Sequence, residues 1–128
     1  MGYNFSKVTS LGYDEALARV QEELKKEGFG IITEIDVKDT LKKKINVDFR
    51  RYKILGACNP SFAHQALQIE SRIGTLLPCN VIVQEREAGQ VEISAVNPLE
   101  TMRTVENPRL ESLGSRVAAK LLAVISRI

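Results

Sequence analysis

The segment that follows Asn107-Pro108 constrains this chain most. Leu110, Leu113, Val117, Leu121, Val124 and Ile128 recur at spacings of three and four, the period of one helix face. Ala118, Leu122 and Ile125 widen that face. Asn107 is a good N-cap and Pro108 suits the first helical position. So apolar a helix must lie on a sheet, and its margin is expected to meet a second subunit.

The strands to carry it are legible upstream. Tyr3 and Phe5 alternate with polar neighbours over Tyr3–Thr9. Phe29–Val37 reads as a second strand, with Ile31, Thr33, Ile35 and Val37 on one face and Ile32, Glu34 and Asp36 on the other. Phe49–Cys58 reads as a third. Asn80–Glu87 and Gln90–Ala95 form a hairpin across Ala88-Gly89. A hairpin demands an antiparallel pair, so the fold class is α+β: two layers, with a mostly antiparallel sheet of about five strands covered by helices.

Helices fill the gaps. Tyr13–Glu27 carries the stripe Ala16, Leu17, Val20 and Leu24, and Gly28 stands where a left-handed stop belongs. Asp39–Ile45 reads as a short helix ending at Asn46. Asn59-Pro60 opens a helix to about Arg72, with Phe62, Ala66, Leu67 and Ile73 as its apolar contacts and Gly74 as its stop. Asn97-Pro98 reads as part of a loop.

The chain has 128 residues, 44% hydrophobic and 27% charged, the balance of one ordinary globular domain spanning 1–128. Such a domain buries enough surface to fold without disulfides or metal. A net charge of +2 and the lack of Trp give little basis for nucleic-acid binding. Met1–Ser10 has no apolar core of a signal peptide, and no run approaches eighteen apolar residues. Two cysteines are too few for a secreted scaffold. The expected setting is cytoplasmic, without a membrane span.

Three segments carry a family resemblance. The first runs from Gly28-Phe29-Gly30 through Glu34-Ile35-Asp36-Val37. The second runs from Val47-Asp48-Phe49 through Lys53-Ile54-Leu55-Gly56-Ala57-Cys58-Asn59-Pro60. The third runs from Gly74 through Leu76-Leu77-Pro78-Cys79-Asn80-Val81. Together they resemble the bacterial and archaeal domain-of-unknown-function family 302. The resemblance implies a two-layer fold similar to the TATA-binding-protein-like fold, often homodimeric, with no assigned activity. Arg51 stands where that family usually has Pro, and Asn97 where an Asp before Pro98 is common. A fold of this kind does not imply DNA binding.

The candidate site residues are Cys58, Asn59, Cys79, Asn80, Lys53, Glu34 and His64. Each cysteine precedes an asparagine at a strand end, and Cys58 abuts a helix cap whose dipole favours a thiolate. Two small buried side chains are the ordinary alternative. A metal site is disfavoured, because Cys58 and His64 match no zinc spacing. His64 is expected on a helix surface. Lys53 is expected to pair across strands with Glu34 or Asp36, or to bind an anion on the open face of the sheet. The basic run Lys42, Lys43, Lys44, Arg50, Arg51 and Lys53 wraps around its elements and reads as a solvated face. No nucleotide-binding loop and no nucleophile elbow appear.

The leading expectation is a homodimeric module that binds a small ligand or partner. It would use the Cys58-Asn59-Pro60 turn and the Leu77-Pro78-Cys79-Asn80 segment. The alternatives are a thiol-dependent redox enzyme or sensor on Cys58 and Cys79, and, further off, nucleic-acid binding through Lys42–Lys53. No cofactor follows from the sequence.

Overall fold

Three asparagine–proline pairs organise the helices of this protein, whose computed structural model describes residues 2–128. Asn59, Asn97 and Asn107 each sit in extended backbone, and each accepts a hydrogen bond through its side chain from the first turn of the helix that its proline begins. Those helices are α3 (Pro60–Ile69), α4 (Pro98–Arg103) and α5 (Pro108–Ser126). Asn97-Pro98 therefore opens a helix where a loop is expected. The capping chemistry is the same at all three places.

The strands are β1 (Asn4–Thr9), β2 (Gly30–Asp36), β3 (Tyr52–Cys58), β4 (Cys79–Glu85) and β5 (Val91–Val96). They form one sheet in the order β1-β5-β4-β3-β2, antiparallel throughout. The other two helices are α1 (Tyr13–Lys26) and α2 (Val37–Ile45). Helix α1 ends as expected, at Gly28 with φ +86°. Helix α2 starts two residues early because the Asp36 carboxylate accepts from the Asp39 amide at 3.0 Å. It stops at Asn46 in the left-handed region. No helix among the described residues is long and apolar enough to cross a membrane.

Four expectations on strands and helices are corrected. Strand β3 begins at Tyr52 rather than Phe49, since β2 has already turned into α2 and leaves 49–51 unpaired on that side. The fold of β2 is shifted by a bulge between Ile31 and Thr33. Ile31 stands opposite Ala57 and Thr33 opposite Gly56, so the two lie on opposite faces, because an extra residue reverses the alternation. Helix α3 ends at Ile69. Glu70 takes the Arg72 amide at 2.8 Å and starts a 3₁₀ turn, Ser71–Leu76, that contains Gly74; a side chain here competes with the helix for backbone amides. Leu67 faces outward, 43% exposed.

One face of the sheet carries the core. Phe5, Leu55, Ala57, Val81, Val83, Ile93 and Ala95 pack there against α1 and α5. Tyr13, the first residue of α1, donates its hydroxyl to the Val83 carbonyl at 3.3 Å, and burial pushes that phenol up to about 12. A second cluster, Ala66, Ile73, Met102, Leu110 and Leu113, fills the space among α3, α4 and α5. The apolar stripe of α5 is consumed by these two clusters; on that helix Leu122 alone among the large apolar side chains is prominently exposed.

Candidate functional site

Residues of both clusters line a cavity of about 260 Å³. Phe29, Ala57, Cys79 and Val117, all of the first cluster, line one side of it. Ala66, Met102 and Leu113 line it from the helical side. The ends of strands β3 and β4 bring Cys58 and Pro78 to its wall. Helix α4 closes another side only because Gly114 has no side chain. A Cβ there would stand 2.9 Å from the Pro98 carbonyl oxygen and 3.3 Å from Met102.

The wall offers a ligand almost nothing polar. Asn59 is its one amide, and both ends are committed. Oδ1 accepts from the Phe62 amide at 3.3 Å, and Nδ2 donates to the Glu27 carbonyl at 3.5 Å. Replacing Asn59 with alanine removes the α3 cap and is expected to cost about 1 kcal/mol, read from the midpoint of urea unfolding. An unchanged midpoint would mean that the cap is idle.

The thiols are both free. Cys79 opens β4 opposite Ala57, the residue before Cys58, and is 8% exposed. Burial first, and the neighbouring Cys58 second, push its thiol up to about 11. At neutral pH Cys79 is therefore a protonated, weakly reactive group. Cys58 is half-buried. No group of three or more His, Cys, Asp or Glu suited to a metal is found among the described residues.

The remaining candidates lie elsewhere. Asn80 is exposed, one residue past Cys79. His64 is exposed on α3, with its Nε2 3.3 Å from Gln68. Lys53 and Glu34 form an ion pair at 3.5 Å toward the far end of β3. Their register sets Lys53 opposite Val83 and Glu34 opposite Leu55, both core residues. They occupy the edge of the helix-bearing face, which corrects the open-face placement. The basic run is largely neutralised: Lys42 pairs with Asp48 at 3.1 Å, Lys43 with Asp39 at 2.9 Å and Arg51 with Glu85 at 2.8 Å. Arg50 lies over Phe49, 4.4 Å from the ring centre. Asn97 is 3% exposed; it caps α4 and donates to the Gly2 carbonyl at 3.2 Å. An aspartate could supply the cap but not that donation.

Sequence reasoning found Cys58, Asn59 and Cys79 but missed the helical wall. One signal was present. A glycine inside an otherwise apolar helix stripe, Gly114, costs helix stability and so points to close packing.

A family model described as domain of unknown function DUF302 matches residues 5–128. Among solved structures, the chain is similar to an uncharacterized conserved DUF302 protein from Bacillus stearothermophilus. That similarity has a TM-score of 0.92 at 28% identity, and it covers 99% of this chain and 98% of the other. No curated protein matches the sequence.

Proposed function

The chain belongs to the DUF302 family, and we propose that this member is a binding module that holds a small apolar ligand in the cavity between its two core clusters. The observation that carries this reading is a cavity of about 260 Å³ whose one amide is already committed. Small-molecule sites run to roughly 300–1,000 Å³, so the apolar part of the ligand is small. Dry apolar cavities of roughly 150 Å³ already take up benzene-sized solutes.

Thermal melts with naphthalene or 1-octanol test the reading. A ligand at about a hundred times its Kd adds about 2.7 kcal/mol to stability, which appears as a higher Tm. Ala66→Phe puts a ring into the cavity and should abolish that rise. Ala63→Leu, on the same wall, serves if the first variant folds poorly. An equal rise in a folded, plugged variant would sink the proposal. The thiol alternative is less well supported, since Cys79 stays protonated and the attack would fall to Cys58 alone.

A second copy is the further partner proposed, and the β2–α2 arm suits it better than α5. Helix α2 buries no residue in its own chain, and nine isolated helical residues are marginal in water. Ile32, Ile35, Ile45 and Val47 are all exposed on this arm. It also carries both signs of charge, Glu34 and Asp36 beside Lys42–Lys44, which suits a self-complementary two-fold contact. Native mass spectrometry should read a dimer that Ile35→Glu converts to monomer. A monomeric wild type would end this part of the reading.

A further inference from the structure

Two arginines near the cavity have no acidic partner. Arg109 and Arg116 make no ion pair among the described residues. They share a shallow groove with Gln65, Ser112 and Leu113, and no carboxylate lines it. The nearby Glu111 is drawn to Arg103 at 3.9 Å. Residues 109, 112 and 116 are three and four apart on α5, so they form one row on one face. The row begins at the amino end of a nineteen-residue helix, where the dipole also favours an anion.

The groove and the cavity adjoin. Leu113 is a wall of both. The Arg116 guanidinium stands 5.1 Å from the centre of the Phe62 ring, and Phe62 lines the cavity. Among the described residues, the one hydrogen bond of that guanidinium runs to the neutral Gln65 Oε1 at 3.3 Å. Its charge is thus held in place by a ring and an amide, neither of which neutralises it. Phe62 thus touches both the cavity and Arg116, and Ser112 and Arg109 follow one and two turns back along the same helix row.

Resting on the cavity reading above, we infer that the ligand is an amphiphile with a carboxylate head: its apolar tail fills the cavity and its head lies on Arg116, Ser112 and Arg109. The cavity volume limits the tail. At roughly 30 Å³ for a group of water's size, 260 Å³ accommodates about nine such groups, a medium-length acyl chain. The planar guanidinium matches a carboxylate in two parallel hydrogen bonds. The two guanidinium groups also reject cationic amphiphiles by like charge.

Calorimetric titration at neutral pH and low salt with octanoate, 1-octanol and octyltrimethylammonium decides the matter. These probes share a tail and differ in head charge. Octanoate should bind about tenfold tighter than 1-octanol, the worth of a charge-assisted pair, and the cation weakest. The octanoate-to-octanol ratio should fall toward one in Arg116→Ala, part-way in Arg109→Ala, and in the wild type at high salt. Equal affinity for octanoate and octanol, or a ratio that Arg116→Ala leaves unchanged, overturns the inference while the cavity reading stands. If none of the three probes binds, both readings fail.

Discussion

Gly56→Ala is expected to destabilise the protein by about 2–3 kcal/mol, with Tm lower by roughly 10 °C. Gly56 lies in β3 between Thr33 on β2 and Asn80 on β4. An added methyl would overlap the Thr33 hydroxyl and stand 2.8 Å from Cγ of Pro78. Thr33 is exposed, so its side chain can turn away. The Pro78 ring is held by its own backbone and cannot. Thr33→Ala in the same chain should therefore restore about 1 kcal/mol and leave the remainder. Urea unfolding of the two singles and the double reads the coupling. A Gly56→Ala protein as stable as the wild type would mean that β2, β3 and Pro78 are not packed this closely.

Glu23→Gln is the second large effect, and it changes the response to acid. The Glu23 side chain is 2% exposed, yet three cations converge on it. Lys26 Nζ is 2.8 Å from one oxygen and Arg127 Nε 2.6 Å from the other, with Arg19 at 3.3 Å. Hydrogen bonds from Lys26 first and Arg127 next hold its carboxyl near 2, below the usual 4.5. A carboxyl with a depressed folded pKa is protonated first in the unfolded chain. Its contribution is thus complete above pH 4.5 and is lost as pH falls toward 2. The wild-type Tm should decline across that window, and the Glu23→Gln curve should be lower and flatter there. At neutral pH Glu23→Gln should lower Tm further than Asp48→Asn, which breaks a pair whose carboxylate is 87% exposed, since solvated pairs contribute little. Equal losses in the two variants would show that the α1–α5 linkage through Arg127 is no stronger than a surface pair.

Much of the candidate site was legible because its parts are local. Cys58, Asn59 and Cys79 could be named from a strand end, a cap and a repeated Cys-Asn pair, and all three line the cavity. Lys53 pairs with Glu34, one of the two carboxylates expected, but on the helix-bearing face instead of the open one. Face is a property of register, and the bulge in β2 that reverses its alternation leaves no local mark in the sequence. The cavity itself could not be read. It exists because Gly114 lets α4 approach α5 while the small side chains Ala57, Ala63 and Ala66 leave the space beyond it unfilled.

Local sequence sets the α+β class, the five strands, the stops of α1 and α2, and the start of α5. It does so because capping residues, left-handed stops and apolar periodicity act within a few residues of where they stand. Tertiary structure decided which groups share a space. Pro98 becomes part of a cavity wall, Arg116 comes to rest on Phe62, and α5 spends its apolar stripe on its own core. Each of these joins residues far apart in the chain, and packing alone sets how closely such residues approach.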